Sequence, residues 1–110
     1  MNATGVLFLG KTRPLTTQTS RGEFQLQLLA IDRISHSPPM VEAYRITWTG
    51  AHAQAFWDQF AERLVPGQPL RVCLERIRSH ATPRGPEIHA TVHAMGLAPK
   101  ANQQPEAEKA

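Results

Sequence analysis

The sequence predicts a small all-β domain with one helix, and two observations carry that prediction. Five short apolar stretches read as strands: residues 5–11 are apolar on both faces, and in the other four apolar residues recur at period two, the spacing of strands that bury one face. Between the third and fourth stretches the period lengthens to 3.6, the spacing of an amphipathic helix. Length sets the scale: a chain of 110 residues buries roughly 65% of the surface its unfolded form exposes, enough for one core and too little for two lobes with a cleft between them.

The elements follow in chain order. Residues 5–11 (GVLFLGK) make a short first strand, apolar on both faces. Residues 23–31 (EFQLQLLAI) alternate through Phe24, Leu26 and Leu28, with Gln25 and Gln27 facing the other way. In residues 41–49 (VEAYRITWT), Tyr44, Ile46 and Trp48 share one face; Ala43, Arg45, Thr47 and Thr49 share the opposite one. Ala53, Phe56, Trp57, Phe60, Ala61 and Leu64 then fall on one stripe of a helix, which Pro66 and Gly67 end. Leu70, Val72 and Leu74 alternate in residues 70–78 (LRVCLERIR), and Ile88, Ala90, Val92 and Ala94 in residues 87–95 (EIHATVHAM). Residues 14–22, 35–39 and 79–86 are polar and rich in turn formers, so they are expected as exposed loops. The domain is expected over residues 1–98, and residues 99–110 (PKANQQPEAEKA), which lack a large apolar side chain, as a disordered tail. Five strands with a helix between the third and fourth is the element order of the OB fold, a five-stranded Greek-key barrel that binds oligonucleotides or oligosaccharides.

Charge and composition narrow the function. The net charge is +3, and nine of the ten cations before Pro99 are Arg, whose planar fork suits phosphate. A polyanion is the expected partner. No apolar run is long enough to span a bilayer, and the start MNATG has no signal-peptide pattern, so a cytoplasmic protein is expected. The single Cys73 offers no internal disulfide and no thiol pair for zinc, and it reads as a small buried or interfacial residue. His89 and His93, four residues apart on a strand, stand about 13 Å apart, too far to share one ion; no metal and no cofactor are expected. His80 and His89 read instead as solvated or hydrogen-bonded rings and as phosphate contacts at low pH. Phosphate-binding loop, nucleophile-elbow, zinc-protease and dinucleotide motifs are all missing, which argues against an enzyme.

Residues 42–71 (EAYRITWTGAHAQAFWDQFAERLVPGQPLR) resemble the bacterial single-stranded DNA-binding protein family, with its acidic-aromatic-basic strand, Gly, helix and second Gly. GVLFLGK and SRGEFQLQLLAID are similar to that family's first two strands, so the resemblance spans about residues 5–97 by element order. It implies an OB fold, dimers or tetramers, and binding of single strands with little sequence preference through stacked aromatics and a basic groove. Arg45 matches a basic contact residue of the family. Ala43 and Thr49 stand where the family has stacking aromatics, and Ser79, His80 and Ala81 where it has a further Trp. Trp48, Phe56, Trp57 and Phe60 fall on core faces by periodicity, so binding is expected to be driven by Arg and sensitive to salt.

The expected DNA site is Arg45, Arg76, Arg78 and Arg84 on the phosphates, Lys11, Arg13 and Arg21 at the rim, and Thr47 and Thr49 on the same face as Arg45. Arg71 and Arg76 have opposite strand parity and share a side only if a bulge intervenes. A homodimer is expected, with a homotetramer as second choice, because the first strand is apolar on both faces; Val6 and Phe8 would be buried there, and Tyr44 stands at a subunit-contact position of the family. The expected role is in DNA replication, recombination or mobile-element transfer. The alternatives are a module like primosomal replication protein N that mainly binds replication or mobile-element proteins, and a self-associating barrel without ligand.

Overall fold

The computed structural model describes residues 2–36, 39–83 and 85–98. The described residues form six strands and a helix: β1 (Asn2–Leu9), β2 (Leu15–Gln18), β3 (Phe24–His36), β4 (Pro39–Thr49), α1 (Ala51–Phe60), β5 (Pro69–Thr82) and β6 (Gly85–Leu97). A 3-10 turn, Ala61–Arg63, extends α1. Five strands close a barrel. β1 runs antiparallel to β5 and β5 antiparallel to β6, β6 lies parallel to β4, and β4 runs antiparallel to β3. The ring is completed where β3 meets β1 at Phe8↔Ile31 and Leu9↔Ala30. This is the all-β barrel that the periodicity predicts, with the helix between the third and fourth barrel strands.

The alternating apolar residues fill it. Leu7, Leu9, Leu26, Leu28, Ile46, Leu70, Val72, Leu74, Ala90 and Val92 are all buried in one cluster. α1 contributes Ala53 and Phe56, and Phe56 packs at 5.6 Å from Trp48 and 5.1 Å from Phe60, ring centre to ring centre. Trp48 is thus a core residue, as its strand parity requires. The buried Gln68 amide is satisfied by donating to the carbonyls of Pro69, at 2.9 Å, and Ala98, at 3.2 Å. Together with the Leu9 N–H donated to the Gln68 carbonyl at 2.9 Å, it ties the ends of β1, β5 and β6 together.

The three expected loops hold strand as well. Residues 14–22 contain β2, a four-residue edge strand paired with β3 alone and exposed throughout. The β5–β6 ladder runs through residues 79–86 to Thr82↔Gly85, so that segment is the end of a hairpin. Residues 35–39 include the His36↔Pro39 pair of the β3–β4 hairpin. Alternation reports one-sided burial, and a ladder that projects past the core is wet on both faces, so it leaves no apolar trace. The expected tail, residues 99–110, lies outside the described residues.

Leu70 is fully buried, whereas Leu15 on β2 is 53% exposed. Leu70→Ala should therefore destabilise the protein by about 2–5 kcal/mol in urea unfolding, and Leu15→Ala should stay within about 0.5 kcal/mol of wild type.

Candidate nucleic-acid interface

Residues directly opposed on neighbouring strands point to the same side of a sheet. Starting from Arg45, the register therefore assembles one outward face. Arg45, Thr47 and Thr49 on β4 oppose Leu29, Gln27 and Gln25 on β3. Arg45 and Thr47 also oppose His89 and Thr91 on β6, across the parallel pair. His89 in turn opposes Arg78 on β5, and Glu87 opposes His80. Four strands thus share a face whose middle is polar: the Gln25 amide donates to Thr49 Oγ1 at 3.3 Å.

A bulge completes the set. Between the pairs Glu75↔Thr91 and Arg78↔His89, β5 spends three residues where β6 spends two. Arg76, at φ 54°, sits in the left-handed region inside this irregularity, a conformation that costs an L side chain about 1 kcal/mol. The extra residue resets the parity of β5, so Arg71 before it and Arg78 after it both lie on the outer side. Arg76 joins Arg78, Arg45, Gln27, Thr47 and His89 around one open cavity of about 360 Å³. Thr91 lines both this cavity and a second of about 400 Å³, walled by Thr49, His52, Glu75 and His93, so the depression continues along β6 toward the start of α1.

Charge inside the cavity is not uniform. Arg45 Nε donates to Glu87 Oε1 at 3.0 Å, and Arg45 Nη1 donates to Gln27 Oε1 at 3.4 Å. His89 Nε2 lies 2.8 Å from the same Glu87 oxygen; an ionised carboxylate only accepts, so the imidazole donates from Nε2. The hydrogen bond from His89 lowers the Glu87 carboxyl pKa below its ordinary value; burial opposes the shift and Arg45 adds to it. Arg76 and Arg78 are exposed at the cavity's edge.

The structure brings Arg45, Thr47, Arg76 and Arg78 together, and it sets Thr49 in the adjoining cavity. Lys11, Arg13 and Arg21 are exposed beside β2 and line neither depression. Arg84 lies outside the described residues. Of the expected subunit contacts, Val6 is 40% exposed and shares a third cavity, about 250 Å³, with the half-buried Tyr44, whose hydroxyl donates to Glu42 Oε1 at 3.2 Å. Burial beside the Glu42 carboxylate raises the Tyr44 pKa. Phe8 is half-buried on β1. Sequence reasoning passed over Glu87, Gln27 and Thr91 as site residues. The polar alternation of Gln25 and Gln27 was a usable signal; the β4–β6 partnership was not visible, because parallel neighbours are distant in sequence.

The sequence matches no family model and no curated protein. Solved structures match it well in shape. The N-terminal domain of the PriB protein from Thermoanaerobacter tencongensis, described as dimeric, superposes with a TM-score of 0.62 at 13% identity, covering 90% of this chain and 97% of that one. The mitochondrial single-stranded DNA-binding protein of S. cerevisiae gives 0.64 at 12% identity over 91% and 95% of the two chains. The single-stranded DNA-binding protein from Thermus aquaticus gives 0.63 at 16% identity over 93% of this chain and 52% of that one.

The Glu87 contribution to stability has a defined sign. Its folded carboxyl titrates below the ordinary value of 4.5, so the contribution is present above that value and is lost as pH falls through the folded one. Urea midpoints of the wild type should fall as pH drops below 4.5, and Glu87→Gln should flatten that part of the profile. A closed barrel with a parallel β4–β6 pair and a helix between its third and fourth strands, superposing on these proteins over nine-tenths of its length, gives this chain the OB fold that they share.

Proposed function

We propose that the chain binds single-stranded DNA with little sequence preference, as a cytoplasmic homodimer or homotetramer acting in replication, recombination or mobile-element transfer. One observation carries this reading: Arg45, Arg76 and Arg78, from two strands that are not neighbours, meet on one open cavity of an outward OB face. Guanidinium groups on a shallow polar track neutralise successive phosphates and leave the base order unread. Lys11, Arg13 and Arg21, exposed beside β2, would form the positive rim, Thr47 and Thr49 give hydroxyls along the track, and no catalytic residue, cofactor or metal is assigned; Arg84, the fourth expected phosphate contact, lies outside the described residues. The similar structures, named for single-stranded DNA binding, support the same reading.

A second reading keeps the barrel as a module for replication or mobile-element protein partners. Two features favour it: no Phe, Tyr or Trp is exposed among the described residues, and Glu87 already occupies part of Arg45. Fluorescence anisotropy on labelled oligo-dT separates the two. Binding should weaken steeply as salt rises, and Arg78→Ala should lower the log–log salt slope by about one. Arg45→Ala should lower it less, since Glu87 offsets that charge. Absence of salt-dependent binding at tens of micromolar protein in about 50 mM salt would leave the protein-binding reading.

Assembly rests on β1. Val6 is exposed beside the Tyr44 cavity, and the PriB domain of the same shape is described as dimeric. Light scattering at micromolar protein should give at least twice the 12.2 kDa chain mass, and Val6→Asp should return it to the monomer value.

A further inference from the structure

We infer that Glu87 and His89 form a proton-operated switch on Arg45, through which acidification tightens the hold on a polyanion; the device rests on the single-strand reading and adds regulation to it. One carboxylate oxygen carries it. Glu87 Oε1 accepts from Arg45 Nε at 3.0 Å and from His89 Nε2 at 2.8 Å. The first donor is charged at every working pH, whereas the second belongs to the side-chain type whose charge changes near neutrality. While His89 is neutral, the single negative charge of Glu87 offsets Arg45 and the three groups carry no net charge. Once His89 is charged, Glu87 is matched by the imidazolium and the Arg45 charge is released to phosphate. Glu87 stays ionised throughout, because the bond from His89, aided by Arg45, holds its carboxyl below the ordinary value. Protonation also turns Nδ1 of His89 from an acceptor, which phosphate oxygen avoids, into a donor, which it seeks.

The surrounding charges couple that proton to the ligand. A cation on His89 meets Arg78 across the β5–β6 ladder, Arg45 across the β4–β6 pair, Arg76 around the same cavity, and Glu87 on its own strand. The remaining described walls, Gln27, Thr47, Ala90 and Thr91, carry no charge. Phosphate at the guanidinium groups offsets the three like charges and leaves the attraction of Glu87, so protonation and binding strengthen each other by the same factor. His80 of β5 stacks on His89, 4.0 Å between centroids and 19° from parallel. Two imidazolium rings so placed repel, so the stacked pair holds one proton. His52 and His93 line the adjoining cavity, where Glu75 stands 3.8 Å from His93 Nδ1 and, among the described residues, no Arg forms a wall. A proton there releases no guanidinium.

The test is anisotropy on labelled oligo-dT at constant ionic strength, at about pH 8 and about pH 6, a span in which His changes charge and neither thymine nor a phosphodiester gains a proton. Wild type should bind about fivefold more tightly at the lower pH, with a log–log salt slope steeper by about one. Glu87→Gln, which removes the carboxylate that holds Arg45, should bind more tightly than wild type at the higher pH. His89→Gln keeps a donor for Glu87 but cannot charge, so its affinity should be the same at both. Calorimetry of wild type in two buffers of different ionisation heat should show proton uptake on binding, a readout that needs no variant. Equal wild-type affinity at both pH values, zero proton uptake, or a pH dependence that survives His89→Gln overturns the switch alone. Failure of wild type to bind oligo-dT at either pH overturns the single-strand reading itself.

Discussion

The parallel pairing of β4 with β6 is the constraint on which the rest of the molecule depends. It closes the barrel between two strands separated in sequence by a helix and a whole antiparallel strand, so the core forms only after long loop closures. The same pairing sets Arg45 opposite His89, and through the β5–β6 ladder it brings Arg78 into range. A slip of one residue would turn Ile46 and Trp48 outward and Arg45 inward. Burial of that apolar pair therefore fixes the direction in which the Arg45 side chain points.

Glu87 gives the cationic face an internal counterion. Three guanidinium groups around one cavity repel one another, and a carboxylate within hydrogen-bond distance of Arg45 and His89 relieves part of that repulsion in the free protein. The same carboxylate opposes an incoming phosphate. The whole chain carries a net charge of only +3, so under the proposed reading binding would depend steeply on salt.

Residues whose burial is one-sided were legible from the sequence. Leu26, Leu28, Ile46, Leu70, Val72, Leu74 and Val92 alternate because the barrel has one inside, and their pattern located four of the five barrel strands and the outward set Arg45, Thr47 and Thr49. The hairpin beyond Arg76 was not legible, because residues from Arg76 to Ala81 are all exposed and leave no apolar alternation. The sequence could name a bulge as the condition for Arg71 and Arg76 to share a side, but the register shift and positive φ of Arg76 arise from the β5–β6 pairing, which no local pattern encodes. Glu87 and His89 were visible as residues; their meeting with Arg45 depends on three strands at once.

The division between core and hairpin also separates folding from recognition. Leu74↔Val92 is the last buried pair of the β5–β6 ladder, and the irregularity at Arg76 begins just past it. A left-handed Arg is tolerated there because the barrel's packing is complete before the chain bends, so the strain displaces no core side chain. Beyond the bulge the ladder carries Arg78, His80, Glu87 and His89 with few buried apolar contacts beneath them. Such a segment opens at lower free energy than the barrel that carries it. Arg78 thus stands on the part of the sheet that can adjust, while Arg45 is held by the β3–β4 and β4–β6 register of the closed barrel.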